Sequence, residues 1–337
     1  MLKAREGRES AVKVVRRVLA ILVLASVLLA GCAGDPAPAA DEPLAGPEPV
    51  TPRSGGLLED IPALFPTANN RISSGAEPSI LADHNGRYVW IGDTAGGFVS
   101  QNNGTTWASM PDVSLAKVAL NDGWALAQDG DGALYAAELS DNHIDIGQST
   151  DGGATWDQIA NFAAIGAVIA DRPWMAAHGS GEVVLFYYDY PGAGFPESCV
   201  RSTDGGATFL DRNPSAGSPQ GGKAFFDSKG RFYYSDDDGV LYRFNDSCLG
   251  GATTLKMMDD AGVNNMVQSD VEGTDLYMAA ATASSARITL AGSHDGGPVK
   301  TLTVSPPELK ANTFATLSVQ GGVVAVAWYG STTPGDP

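Results

Sequence analysis

Basic residues are scarce in this chain. Its 21 lysines and arginines face 39 aspartates and glutamates, a formal net charge of −18. Six of the 21 lie in the first 31 residues with two of the acids, leaving 15 basic and 37 acidic groups beyond, about −22. Such a surface repels a phosphate backbone and argues against a nucleic-acid partner. Histidine and cysteine are also few, at four and three. The histidines are scattered and no CxxC pair occurs, so the sequence offers no metal cluster. Helical periodicity is missing too: past the N-terminus no stretch keeps an apolar face over three turns. Glycine (41) and proline (20) are plentiful, and 43% of the chain is hydrophobic. Many turns around enough apolar material for a core predict an all-β protein.

The N-terminus carries a targeting signal. Lys3, Arg5, Arg8, Lys13, Arg16 and Arg17 form a basic region, and Val18 to Ala30 is an apolar run broken only by Ser26. Those 13 residues span about 20 Å as a helix, short of the roughly 30 Å hydrocarbon core, so they read as a signal peptide over residues 1–31. Leu29-Ala30-Gly31-Cys32 follows at once and resembles a lipobox, which implies lipidation of Cys32 and a membrane anchor outside the cytoplasm. Residues 32–56 are rich in proline, alanine and acids with little to bury. They read as an extended tether ahead of a folded part at 57–337. Cys199 and Cys248 remain as an even pair in an oxidising compartment and are expected to form a disulfide. It would close a loop of about 50 residues and contribute about 3–4 kcal/mol.

The folded part repeats. A short apolar strand, a turn with glycine and a second strand rich in aromatic and β-branched residues recur six times. The turn glycines are Gly86, Gly132, Gly181, Gly230, Gly273 and Gly322, spaced 46, 49, 49, 43 and 49 residues apart. Between these hairpins runs a second element: SQNNGTTW from Ser100, STDGGATW from Ser149 and STDGGATF from Ser202. Two degenerate copies follow, NDSCLGGATT from Asn245 and SHDGGPVK from Ser293. These segments resemble the Asp box, S-x-D-x-G-x-T-W, of BNR-repeat proteins and sialidases. The resemblance implies a β-propeller of about six four-stranded blades, one per repeat.

The residue types have a physical purpose. Asp151 and Asp204 can accept hydrogen bonds from their own turns, and Asp295 holds the same place in the last copy. Trp156 and Phe209 supply large apolar surface to fill the gap between sheets. These are expected to be structural residues. Blades are expected to start near Pro78, Gly123, Pro173, Lys223 and Asn265. A sixth begins near Phe314 and stops after its second strand. Either the segment before Pro78 supplies the missing strands or the chain is truncated; STTPGDP reads as a loop cut short, which favours truncation.

The sialidase resemblance implies three arginines for a carboxylate, an aspartate acid/base and a tyrosine nucleophile paired with a glutamate. The family's Arg-Ile-Pro motif is missing: Asp60 precedes Ile61-Pro62, and Ser73 follows Arg71-Ile72. If the chain is a sialidase, its catalytic residues are Arg71, Arg172 and Tyr329, with Arg231 or Arg287 as third arginine; Glu182 and Glu272 both sit in hairpin turns, which singles out neither as partner of the tyrosine. Asp171-Arg172-Pro173-Trp174 resembles a run in exported BNR proteins and offers Asp171 and Arg172 as a ligand site or, preferred, a structural ion pair. Asp129-Gly130-Asp131-Gly132 and Asp236-Asp237-Asp238-Gly239 offer hard oxygens to Ca²⁺, with ordinary turn chemistry the preferred reading and no cofactor expected.

The expected function is therefore a surface-anchored module that binds a glycan or a protein. Sialidase-type hydrolysis is the second reading, and an extracytoplasmic assembly factor the third. Digested without reductant, the protein should yield one peptide pair joined through Cys199 and Cys248; two alkylatable thiols would contradict the bridge.

Overall fold

The computed structural model describes residues 11–15 and 63–64, and from 79 to 334 all but 85, 93–95, 103–105, 110–120, 141–142, 164–169, 190–196, 211–212, 215–222, 237, 246–250, 260, 262–266 and 283–285. Cys32, the tether, Arg71 and Cys248 lie outside the described residues. The described residues form strands and no helix, in six four-stranded antiparallel sheets. Two N-terminal strands are β1 (Ala11–Val15) and β2 (Ala63–Leu64). Sheet 1 holds β3 (Ser79–Ala82), β4 (Tyr88–Gly92), β5 (Gly96–Ser100) and β6 (Ala108–Ser109). Sheet 2 holds β7 (Asn121–Gln128), β8 (Leu134–Ser140), β9 (His143–Ser149) and β10 (Asp157–Ala163). Sheet 3 holds β11 (Ala170–His178), β12 (Glu182–Asp189), β13 (Glu197–Ser202) and β14 (Asn213–Pro214). Sheet 4 holds β15 (Ala224–Phe226), β16 (Phe232–Ser235), β17 (Val240–Phe244) and β18 (Ala252–Lys256). Sheet 5 holds β19 (Gln268–Glu272), β20 (Asp275–Ala281), β21 (Ile288–His294) and β22 (Val299–Thr303). The last two strands are β23 (Ala311–Gln320) and β24 (Val323–Ser331).

In sheets 1 to 5 the strands lie side by side in chain order; sheet 6 has the order β2-β1-β24-β23. The first strands of successive sheets adjoin, from β3 beside β7 through to β19 beside β23. Among the described residues the sheets are not closed into a ring. Antiparallel connectivity sorts the connections onto two ends. Turns between first and second, and third and fourth, strands share one end, called the turn end here. Loops between second and third strands, and crossings to the next sheet, share the other, open end.

Sheet 6 takes its outer strands from the N-terminal part of the chain, as one of the two sequence readings had it. β1 pairs with β24, Val12 opposite Tyr329, and β2 pairs with β1. β1 falls within the basic region of the expected signal peptide. A chain cut ahead of Cys32 lacks β1, so this pairing and that cleavage cannot belong to the same molecule.

The core explains why the second strands read as nearly unbroken apolar runs. In β12, Val183, Leu185 and Tyr187 join a buried cluster with Ala125, Tyr135 and Ile146 of sheet 2. The intervening Val184 and Phe186 join Phe232, Tyr234 and Phe244 of sheet 4. The period of two puts successive side chains on opposite faces, and each face is covered by a neighbouring sheet. β20 repeats the pattern: Leu276, Met278 and Ala280 face the cluster with sheet 4, while Tyr277, Ala279 and Ala281 face sheet 6. Phe209 packs onto the cluster between sheets 2 and 3, and Trp156 onto Trp124 and Ala136. The Phe209 ring meets Phe162 edge-on at 5.2 Å.

Candidate functional site

Two kinds of aspartate turn organise the strand ends. In the first, Ser149 Oγ donates to Asp151 Oδ1 at 2.8 Å, and Asp151 accepts from the Thr155 N–H at 2.9 Å and the Thr155 hydroxyl at 2.6 Å. Ser202, Asp204 and Thr208 repeat these bonds at 2.8, 2.9 and 2.6 Å. Asn102 substitutes for aspartate in sheet 1, accepting from the Thr106 N–H and donating from its amide to the Thr106 hydroxyl. Asp295 departs from the expected role. Its turn is shorter, with His294 ending β21 and Val299 opening β22, and no threonine follows. The exposed Asp295 carboxylate instead takes Lys229 at 3.1 Å and Arg231 at 2.5 Å, both from sheet 4.

The second kind was not recognised in the sequence. Asp129 accepts from the Asp131 and Ala133 N–H groups and from the Tyr135 hydroxyl at 3.0 Å. Asp227 accepts from the Lys229 and Arg231 N–H groups and from Tyr233 at 3.3 Å. Asp236, in an open-end turn, accepts from the Val240 N–H and the Tyr242 hydroxyl, both at 2.8 Å. The signal was present as an aspartate with a tyrosine six positions later. Burial, followed by neighbours that include Asp129, pushes the Tyr135 hydroxyl up to about 12. These bonds occupy the Asp129 and Asp236 carboxylates with turn chemistry. Among the described residues no group of three or more His, Cys, Asp or Glu is arranged to hold a metal.

The turns also join sheet to sheet. The His84 N–H donates to Gln128 at 2.7 Å, and the Gly130 N–H to Gly179 O at 2.5 Å. The Ser228 N–H donates to Gly273 O at 2.9 Å, and the Gly322 N–H to Glu272 at 2.6 Å. Between sheets 3 and 4 the His178 ring stacks on Phe226 at 5.2 Å and covers Gly230. A Cβ added to Gly230 would stand 2.9 Å from that ring. Beside this junction opens a cleft of about 520 Å³ lined by Glu182, Arg201, Lys229, Arg231, Phe232 and Arg243 among others.

The open end holds most of the residues named for chemistry. Arg172 sits in a β-bulge between Asp171 and Trp174 with φ 49, the left-handed region. The structure describes Asp171 by its backbone alone. Tyr329, 47% exposed, lies near the end of β24, and Arg287, which donates to Ser305, follows the β20–β21 loop. Arg172, Arg287 and Tyr329 thus share an end, on sheets 3, 5 and 6. Arg231, Glu182 and Glu272 do not: all three lie at the turn end, Arg231 on Asp227, Glu182 with Arg201 at 3.0 Å, Glu272 on Gly322. Of the residues named for sialidase chemistry, Arg172, Arg287 and Tyr329 are thus brought to one end, and the alternatives Arg231, Glu182 and Glu272 lie at the other. Sheet 2 adds a polar row that sequence reading missed. Trp124, Glu138, Asp145 and Asn161 are directly opposed across four strands, with both carboxylates buried. Asp145 accepts from Gln158 and Asn161 at 2.5 Å.

No family model matches this chain, and no curated protein does. Solved structures are similar in fold. The fucose-recognising six-bladed lectin of Aleuria aurantia matches with a TM-score of 0.47 and 13% identity over 75% of this chain and 86% of its own. A protein of unknown function from Dyadobacter fermentans gives 0.46 and 16% over 75% and 76%. A GH43_1 enzyme from Xanthomonas citri gives 0.40 and 13% over 62% and 87%. These are likenesses of an all-β, propeller-like fold alone.

The aspartate turns make the fold acid-sensitive. Hydrogen bonds from Thr155 and Ser149 hold Asp151 at about 2, and those from Thr208 and Ser202 hold Asp204 at about 2. Both lie below the unfolded value of about 3.9, so their stabilisation is present above about pH 4 and is lost as pH falls towards about 2. Asp151→Asn/Asp204→Asn should melt lower at neutral pH and show a shallower acid loss across that window; an unchanged acid limb would contradict this. Asp204→Ala should likewise lower the melting temperature while leaving ligand affinity unchanged.

Proposed function

We propose that this chain is a lipid-anchored Asp-box propeller of about six blades, displayed outside the cytoplasm, cut ahead of Cys32 so that its sixth blade does without β1, and that its open end binds a glycan or protein ligand. The observation that carries the reading is Arg172. A non-glycine residue at φ 49, ahead of Pro173 and inside a bulge, is held against its own backbone preference. Such strain persists only where surrounding structure imposes it, and it gathers at binding sites, as do bulges. β7 has a bulge at the same place, between Asp122 and Trp124. A guanidinium fixed there suits carboxylate or hydroxyl oxygens, which favours a glycan. The tether after Cys32 would hold that end away from the membrane.

Hydrolysis is the second reading, favoured by the common end of Arg172, Arg287 and Tyr329. One experiment separates the two. The full chain, in detergent, is screened on a glycan array and against a fluorogenic sialoside. Binding that falls about tenfold or more in Arg172→Ala, at an unchanged melting temperature, supports the binding module. Sialoside turnover abolished by Tyr329→Phe would make it a hydrolase, and a folded protein inert in both assays contradicts glycan binding and hydrolysis alike. Separately, Cys32→Ser should release the protein from membranes into the soluble fraction; retention would refute the anchor.

A further inference from the structure

The cleft at the turn end of sheets 3 and 4 stands out against the charge of the chain. Four of the 15 basic groups beyond residue 31 line this one cavity: Arg201, Lys229, Arg231 and Arg243. They reach it from strands 42 residues apart in sequence, β13 and β17, and from the β15–β16 turn. Three carboxylates answer them. Glu182 pairs with Arg201 at 3.0 Å, Asp227 with Arg231 at 2.5 Å, and Asp295 with both Lys229 and Arg231. That leaves one cation in excess. Among the described residues the Arg243 side chain has neither hydrogen bond nor ion pair, although the residue is partly buried. Its register places it opposite Tyr233, over whose ring the Arg231 guanidinium lies at 5.9 Å. Two guanidinium groups thus flank one tyrosine, against Coulomb repulsion. Phe232, 1% exposed, and Phe244, 8% exposed, give the cleft an apolar wall.

A guanidinium confined without a counter-ion is costly unless something anionic is to meet it. Its five donors match the paired oxygens of phosphate, sulfate or carboxylate. The volume of about 520 Å³ falls within the ~300–1,000 Å³ of small-molecule sites. We propose that this cleft is an anion-binding site that takes an oxyanion on Arg243, with the neighbouring Arg201 and Arg231 supplying further positive potential. It lies at the opposite end from Arg172 and stands or falls independently of the binding role assigned there. The ligand is either a free inorganic anion or an anionic group carried on a sugar.

Calorimetric titration of the full chain in detergent, at low ionic strength, tests this with three probes: inorganic phosphate, inorganic sulfate and glucuronate. The expected result is saturable binding of at least one probe. It should weaken about tenfold or more in Arg243→Gln, stay unchanged in the exposed Lys300→Gln, and stay unchanged in Arg172→Ala. Arg243→Gln breaks no bond within the described residues, so its melting temperature should match the native protein. Arg201→Gln serves as a second probe of the same cleft and should weaken binding too. Preference for phosphate or sulfate would assign a tetrahedral anion, and preference for glucuronate a sugar acid. Absence of saturable binding for all three probes, or equal affinity in native and Arg243→Gln proteins, would overturn the proposal.

Discussion

Much of the turn end depends on one interaction: an aspartate carboxylate folding back onto N–H groups of its own turn, as Asp83, Asp129 and Asp227 do in sheets 1, 2 and 4. A tight reversal leaves backbone donors pointing inward with no strand partner, and a buried donor without a partner costs about 1–3 kcal/mol. Asp129 and Asp227 satisfy those donors from within the turn, at the i+2 and i+4 positions. They also reach the tyrosine that begins the buried face of the next strand. Each carboxylate therefore fixes both the turn and a buried tyrosine, the second residue of the strand beyond it. The turn so shaped presents its outer backbone to the next sheet, where the Gly130 and Ser228 bonds are made. Local turn chemistry thus sets the spacing between sheets.

Glycine lets those turns come close enough. A Cβ on Gly181 would stand 2.6 Å from the Gly205 nitrogen, and the backbones of these two turns are bonded at 2.9 Å. Gly181 also needs φ +83, which other residues adopt at a cost. Between sheets the gap is filled by aromatic side chains against small ones. Phe186 stacks on Tyr234 with centroids 4.5 Å apart, whereas Ala279 and Ala281 let sheets 5 and 6 approach.

Much of this was legible before any coordinates. Turn glycines at a period of 43 to 49 residues located all six hairpins, and each of those glycines has a positive φ. Expected blade starts near Gly123, Lys223 and Phe314 fall within three residues of where β7, β15 and β23 begin. Period and turn chemistry are local properties, so a sequence displays them. Three things escaped for the opposite reason. Asp295 carries the expected letter but lacks the following threonine, and its partners lie more than 60 residues away on sheet 4. The grouping of Arg201 with Arg231 and Arg243 exists because sheets 3 and 4 are neighbours, which spacing along the chain does not announce. That Arg287 shares an end with Tyr329, while its alternative Arg231 and the glutamates Glu182 and Glu272 lie at the other, was not legible either, because a strand has two ends and residue type does not say which one a side chain occupies.

The central claim, that carboxylate-shaped turns couple one sheet to the next, is tested most directly by amide hydrogen exchange on Asp227→Ala beside the native protein. The Asp227 turn holds Gly273 through the Ser228 N–H and Asp295 through Lys229 and Arg231. The account predicts that protection falls at residues 228–231 and also across the junction, at the β19–β20 and β21–β22 turns of sheet 5. Loss confined to residues 227–231, with sheet 5 exchanging as in the native protein, would contradict it.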